Sequence, residues 1–230
     1  MFGWRSSRSD RRLATLLALG ALTAFAVALV GVRVFYTGTP VYGNLVWNLF
    51  LAWIPFVVAL LVYDGFRWGA PRPALVAGAA VWLLFLPNAP YLVTDLKLLR
   101  EWGGAPIWFD IVLVSTAAWT GLLLGFASLS LMHSVGRRIV GTLAAWLLVL
   151  AVLALTSFGV LLGRFQRWNS WDVVTRPRLL LGELLERGAD PLGQGRAVAA
   201  TVLFTVFLTL TYAVFHSLVR VGAGAEERRS

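Results

Sequence analysis

Apolar residues follow one another in six long runs along the chain, and short polar stretches separate the runs. The first run, residues 13–32, contains no charged residue. About twenty helical residues at about 1.5 Å each span the roughly 30 Å core of a bilayer. A cleaved signal peptide also has a basic start, but its apolar region covers only about 7–15 residues. The pattern therefore predicts an uncleaved first membrane helix and five more after it. The predicted helices are 13–35, 44–63, 74–92, 107–132, 139–163 and 197–219.

Composition agrees with a membrane protein. Hydrophobic residues make up 59% of the chain and charged residues 13%, and the mean hydropathy is +0.77. A soluble domain is only about 45–50% apolar and about 25% charged. The predicted fold class is therefore all-α, a polytopic transmembrane helix bundle. We expect a basic N-terminal segment (1–12), a single transmembrane domain (13–220) and a disordered tail (221–230).

The third run ends in a stretch that interrupts it, Leu86-Pro87-Asn88-Ala89-Pro90-Tyr91-Leu92-Val93-Thr94-Asp95, which we call the elbow. Its prolines remove backbone donors and disfavour helical angles at Leu86 and Ala89. At membrane depth such a break is tolerated only where protein or a water-filled cavity covers it. The sequence predicts a broken third helix. The break either packs the bundle or forms a binding site as in transporters, although the other half of the chain has no matching break.

A polar connector, residues 164–196, separates the fifth and sixth runs. Within it, Pro177 suits the first turn of a helix and Gly188 suits the end of one. Leucine and valine residues between 171 and 188 would form one apolar face. We therefore predict a short helix that lies in the membrane interface.

The basic residues indicate the orientation. With the N-terminus inside, alternation of the helices places eleven Lys and Arg residues inside and nine outside, and six of the nine lie in the connector 164–196. Without that connector only Arg33, Lys97 and Arg100 remain outside, which agrees with the positive-inside rule. We expect cytoplasmic N and C termini. Because the basic residues lie between apolar runs, they indicate contact with membrane lipids and no binding of nucleic acid.

The same alternation collects polar residues at the outer face, in the elbow, at the start of the fourth helix and after the fifth. Asp110 stands between apolar neighbours, and a charged group in lipid costs at least about 2.5–3.5 kcal/mol without a partner. We expect Arg164 or Arg167 to pair with it, because a guanidinium can hold a carboxylate with two hydrogen bonds. The candidate ligand-binding residues are Asn88, Asp95, Asp110, Arg164, Arg167, Asn169 and Asp172.

At these residues the chain resembles a known family. Residues 85–96, which contain the elbow, resemble the signature of a bacterial family of multi-pass membrane proteins, DUF1361. Trp108-Phe109-Asp110 with residues 118–121, and residues 163–172, are similar to further parts of the same family. The resemblance covers roughly residues 40–220. It implies an integral membrane protein with no established activity, and it assigns no catalytic residue.

Three interpretations of the polar residues stay open. They could form an ion-pair network that holds helix ends together. They could bind an anion, such as a lipid phosphate or a lipid-linked substrate, since Trp168 and Trp171 would suit the head-group level. Paired carboxylates could also catalyse a reaction, which would require a group with a tuned pKa.

Several kinds of chemistry find no support in the sequence. The chain has no cysteine, which excludes disulfides and thiolate sites. His133 and His216 have no ligand-spaced partners, and no phosphate loop, HExxH or GxSxG motif occurs. We therefore expect no metal and no cofactor. Gly121 and Gly125 form a GxxxG motif that could contact a neighbouring helix or a second copy, so a homo-oligomer stays open.

These observations predict an integral protein of the bacterial inner membrane. Its function is most simply that of a binding or accessory protein with a polar pocket at the outer face. The alternatives are an enzyme that acts on a lipid-linked or phospholipid substrate and a small transporter. Mid-helix charges are absent from runs one, two, five and six, which argues against a continuous polar path.

Overall fold

The computed structural model describes residues 8–99, 104–166 and 195–227, with positions 175 and 178, and these residues are helical with short turns. Six of the described stretches are long and apolar enough to cross a membrane. The predicted fold class is confirmed, and the chain is a multi-pass membrane protein. Of the interfacial helix predicted within 171–188, only positions 175 and 178 are described, and the rest lies outside the described residues. The helices are α1 (Arg8–Thr37), α2 (Gly43–Arg67), α3 (Arg72–Phe85), α4 (Asn88–Tyr91), a 3₁₀ helix (Leu92–Leu98), α5 (Ile107–Val140), α6 (Thr142–Gln166) and α7 (Gly195–Glu227).

The bundle has two ends. At the near end, where α1 begins and α2 finishes, Arg12 forms an ion pair with Asp64 at 2.9 Å. At the far end, where α1 finishes and α5 begins, Arg33 forms an ion pair with Asp110 at 2.8 Å. The elbow and the end of α6 also lie at the far end, where Arg164 meets Asp95. The near end carries the turns 68–71 and 141 and the end of α7.

The fourth and fifth membrane helices, α5 and α6, are separated by fewer residues than predicted. α5 continues without interruption from Ile107 to Val140, through the predicted connector 133–138. Gly136 remains helical, and the helix ends at Gly141, whose φ of 82° is a conformation that glycine adopts readily. The turn between α5 and α6 is thus a single residue.

The last helix is longer than its predicted range, 197–219. It continues to Glu227, so residues 221–227 are helical where the sequence predicted a disordered tail. Each residue added to an existing helix gains a hydrogen bond. Residues 228–230 lie outside the described part.

The third membrane helix is broken as predicted, but in the form of a bend. Leu86, which precedes Pro87, keeps helical angles (φ −54°, ψ −38°), contrary to the expectation that it would leave the helical region. Pro87 is the N-cap residue of α4 and lies just after the end of α3, so its missing N–H falls at the junction between the two helices. The Asn88 side chain donates to the carbonyl of Phe85 at 2.9 Å. This bond satisfies a carbonyl that the bend would otherwise leave open.

Glycines of α5 and α6 provide the surface on which the bend packs. A Cβ on Gly121 would collide with the carbonyl oxygen of Ala89, and one on Gly159 would lie 2.8 Å from Cγ of Pro87. At Gly125 the distance to the Ala89 Cβ would be 3.1 Å. The GxxxG motif therefore contacts a neighbouring segment of the same chain, one of the two partners that the sequence allowed. Small residues let two backbones approach closely in this way.

α5 forms the centre of the bundle, and buried apolar side chains surround it on two sides. Toward α1, α2 and the elbow the core contains Leu45, Phe56 and Leu113. Toward α3, α6 and α7 it contains Trp82 and Tyr212. α7 is the least buried of the candidate spans, with 11% of its apolar window covered, which leaves most of its surface for lipid.

The glycine surface leads to a first prediction. We expect Gly121→Ala to lower the free energy of unfolding by about 1–3 kcal/mol, because the added methyl forces the elbow away from α5. The matched control is Gly31→Ala, a helical position with nothing within 4 Å of the added Cβ. Thermal unfolding of both purified variants in one detergent compares them. Equal midpoints would show that the elbow does not depend on this contact.

Candidate functional site

The first part of the site is an ion pair between the elbow and α6. Arg164 Nη1 donates to Asp95 Oδ1 at 2.8 Å and to the Tyr91 hydroxyl oxygen at 3.2 Å. Arg164 Nη2 donates to the carbonyl of Thr94 at 2.6 Å. Asn48 of α2 donates to the other carboxylate oxygen of Asp95 at 3.1 Å. Asp95 is completely buried and the side chain of Arg164 is 10% exposed. The pair thus joins α2, the elbow and α6.

The guanidinium of Arg164 also has an aromatic neighbour. Its Cζ lies 5.2 Å from the centre of the Tyr91 ring. A cation above an aromatic face is stabilised by about 0.5–2 kcal/mol, depending on its desolvation. Together with the bonds to Asp95 and Thr94, this contact fixes the orientation of the guanidinium plane.

The second part is an ion pair between α1 and α5. Arg33 Nε donates to Asp110 Oδ1 at 2.8 Å, and Nη2 donates to Oδ2 at 3.3 Å. Arg33 Nη1 donates to the Thr37 hydroxyl oxygen at 2.7 Å. Both charged side chains are 1% exposed. The fork of Arg33 therefore holds the carboxylate with two hydrogen bonds in a fully buried place.

Tyr42, at the start of α2, connects the two parts. Its hydroxyl lies 3.2 Å from Asp110 Oδ2 and 3.5 Å from the carbonyl oxygen of Leu98, at the end of the 3₁₀ helix that carries Asp95. Burial, and after it the negative charge of Asp110, raises the pKa of Tyr42 to about 12. Tyr42 therefore keeps its proton at neutral pH and can donate it to the carboxylate.

The structure corrects one predicted pairing. Arg33 is the partner of Asp110, and Arg164 binds Asp95. The sequence placed Arg33 at the correct end, because it is the first charged residue after an uncharged run. Arg33 was used only to predict the orientation in the membrane and was not considered as a partner of Asp110. Asn48 and Tyr42 were missed as well. Both residues lie near the start of the second predicted helix, at the same end as Asp95 and Asp110. This placement could have identified them as partners of the two carboxylates.

The remaining candidate residues differ in what the structure says about them. Asn88 lies in the bend and bonds to the Phe85 carbonyl, so its described bond serves the fold of the elbow. Arg167, Asn169 and Asp172 lie outside the described residues. Of the seven candidates, the structure thus brings Asp95, Asp110 and Arg164 together at the far end.

The two histidines are neighbours. The ring centres of His133 and His216 are 5.2 Å apart at the near end, and Trp146 lies against both rings. His133 Nδ1 is 3.1 Å from the Tyr212 hydroxyl. Among the residues that the structure describes, no three His, Cys, Asp or Glu side chains are placed to hold a metal ion.

The comparison with protein families gives a match over most of the chain. The model of a family described as a protein of unknown function, DUF1361, matches residues 47–218. This range contains the elbow, all of α5 and α6, and the two histidines. Neither a curated protein nor a solved structure matches the chain.

The buried pair of α1 and α5 leads to a second prediction. We expect Arg33→Gln to lower the free energy of unfolding by about 3–5 kcal/mol, because it leaves the Asp110 carboxylate buried without a counter-charge. The matched control is Arg12→Gln, whose ion pair with Asp64 is 39% and 22% exposed and should contribute about 0–1 kcal/mol.

Denaturant unfolding of the detergent-purified variants measures both effects. The double variant Arg33→Gln/Asp110→Asn should recover part of the loss, because it removes the uncompensated charge. Similar losses for Arg33→Gln and Arg12→Gln would contradict a structural role of the buried pair.

Proposed function

Because this chain belongs to the DUF1361 family, whose function is unknown, we propose its function from the site alone. It is a binding protein of the membrane, and its far end holds a phosphate-type anion at Arg164. The main support for this proposal is that the Nε of Arg164 is a buried donor with no hydrogen-bond partner among the described residues. A buried donor without an acceptor costs about 1–3 kcal/mol. An oxyanion that reached this atom would remove the cost.

The surroundings of Arg164 suit such a ligand. Asp95, Tyr91 and the Thr94 carbonyl fix the guanidinium, so little freedom is lost when an anion binds. Lys97 is close enough to Asp95 to act on it electrostatically. The site therefore combines the guanidinium of Arg164 with the positive charge of Lys97 near the same carboxylate. Arginine is well suited to this task, since its planar fork matches the oxygens of a phosphate.

The ligand class follows from the level of Arg164 in the bundle. Arg164 is the last residue of its candidate span, where a helix emerges from the hydrocarbon and meets lipid head groups. A phosphate at this level can belong to a membrane lipid, to a lipid-linked substrate or to a free ion. All three ligands would present phosphate oxygens to Arg164.

Binding accounts for the site better than catalysis does. Asp95 and Asp110 are 0% and 1% exposed, and each is hydrogen-bonded to an arginine. A general acid or base must come within hydrogen-bond reach of the proton that it moves. The covered carboxylates position Arg164 and close the helix ends, which gives them a supporting role in the proposed binding.

Thermal unfolding of the purified protein tests this proposal, with inorganic phosphate and dihexanoyl phosphatidic acid as separate probes. A ligand at 100 times its Kd adds about 2.7 kcal/mol to the stability of the folded protein. We expect one of the probes to raise the unfolding midpoint of the unmodified chain. Stabilisation by phosphatidic acid alone identifies a lipid ligand, and equal stabilisation by phosphate identifies a free anion.

The variants are Arg164→Lys, which keeps the charge but loses Nε and the fork, and Lys97→Gln at an exposed position. Both should reduce the stabilisation, whereas Arg12→Lys at the other end should leave it unchanged. No stabilisation by either probe, or full stabilisation of both site variants, would refute the proposed binding.

We further propose that the protein lies in the inner membrane of a bacterium with the near end in the cytoplasm. The support is the charge pattern: Arg12, Arg67, Arg72, Arg137 and Arg138 all belong to the near end, which agrees with the positive-inside rule.

Because the chain has no cysteine, single substitutions test this orientation. Thr39→Cys is an exposed far-end position and Arg138→Cys an exposed near-end position. A membrane-impermeant maleimide added to intact cells should label position 39 and leave position 138 unlabelled until the cells are opened. Labelling of position 138 alone would invert the orientation and place Arg164 in the cytoplasm.

A further inference from the structure

A groove opens on the side of the near half of the bundle, away from the two ion pairs. Its floor is α5 and its walls are α3 and α6, and it has a volume of about 270 Å³. Val62, Val76, Trp82, Ile139, Leu148 and Val152 are among the residues that line it. A ligand pocket starts at about 300 Å³, and an apolar cavity of about 150 Å³ already binds a benzene-sized molecule. The groove therefore has room for part of one hydrocarbon chain.

His133 is a polar group in this apolar lining. It is 3% exposed, and its Nε2 has no hydrogen-bond partner among the residues that the structure describes. Its Nδ1 lies 3.1 Å from the Tyr212 hydroxyl. In the tautomer in which Nδ1 accepts the tyrosine proton, Nε2 carries a hydrogen. In that tautomer His133 is a buried donor at the groove, and an occupant could supply the acceptor.

Arginines stand at the mouth of the groove. Arg72 lies three and four residues before Leu75 and Val76, so it continues the lining face of α3. Arg137 lies four residues after His133 and continues the lining face of α5 in the same way. Both arginines are exposed. Arg72 begins its candidate span and Arg137 lies in the last turn of its own, so both are at the level of the head groups.

We propose that this groove binds one anionic phospholipid of the surrounding bilayer. An acyl chain occupies the space between α3 and α6, and the phosphate lies between Arg72 and Arg137. His133 donates from Nε2 to an ester carbonyl of the lipid. One helical turn, about 6 Å, separates Arg137 from His133 along α5, and in a phospholipid the ester carbonyls lie below the phosphate toward the chains. The site is independent of the anion site at Arg164, since it lies at the other end of the bundle.

The occupant is a bilayer lipid because of where the groove opens. Val76 and Leu148 in its lining are 68% and 52% exposed, and both lie a helical turn or more inside candidate membrane spans. A chain that enters from the side therefore comes from the hydrocarbon core. The two arginines favour a negative head group, because basic residues at the membrane surface attract anionic lipids.

Native mass spectrometry of delipidated protein in detergent tests the site, with phosphatidylglycerol and phosphatidylcholine of equal chain length as probes. We expect the unmodified chain to retain phosphatidylglycerol with about tenfold higher affinity than phosphatidylcholine. Ala79→Trp fills the groove, because Ala79 lines it. The matched control is Ala80→Trp, an exposed neighbour outside the lining. The first change should lower retention of phosphatidylglycerol by about tenfold, and the second should leave it unchanged.

A charge variant keeps the test decisive if the groove-filling variant fails to fold. Arg72→Gln/Arg137→Gln should bind both lipids equally, whereas Arg67→Gln/Arg138→Gln, with the same change in net charge, should keep the preference. Equal retention of the two lipids by the unmodified chain would overturn the proposal. Equal effects of the two tryptophan variants, or of the two charge variants, would overturn it as well.

Discussion

The contact between the elbow and the glycines of α5 and α6 is the constraint on which the far end depends. In the hydrocarbon region a bend in a helix must find partners for its free backbone groups inside the protein. Here the bend lies so close to Gly121 and Gly159 that a single methyl group at either position would collide with it. This close approach fixes the direction of the 3₁₀ helix that follows. The position of Asp95 therefore depends on this close approach. Because Arg164 is hydrogen-bonded to Asp95, the position of its guanidinium depends on it as well.

Charges at the far end are arranged so that each buried acid has its own arginine from a different helix. Asp110 is held from α1 and Asp95 from α6. Tyr42 and Asn48 supply further donors from the first two turns of α2. This division lets α2 take part in both pairs without carrying a charge there itself. The near end is built differently, with arginines on the surface and aromatic and imidazole rings inside.

Much of this architecture follows from the sequence, because a long uncharged apolar run forms a membrane-spanning helix in a bilayer. The helices, the bend at the two prolines and the collection of Asp95, Asp110 and Arg164 at one end were predicted from runs and alternation. The pairing of Asp110 was not, because alternation fixes the height of a residue and leaves open its position around the bundle. Arg33 and Arg164 have similar heights, and only the packing of α1 against α5 decides between them. The same limit applies to His133 and His216, whose closeness depends on which faces of α5 and α7 meet.

The pair of Arg33 and Asp110 has a consequence for the order of assembly during synthesis. The two residues are 77 positions apart, so α1 enters the membrane long before its counter-charge exists. At about 5–20 residues per second, the ribosome needs roughly 4–15 seconds to make the intervening chain. During that time Arg33 must extend toward the aqueous surface, as long basic side chains near helix ends do. The first helix, α1, can therefore take its final depth only after the fourth membrane segment, α5, has been inserted. The position of an early helix thus depends on a helix that is synthesised later.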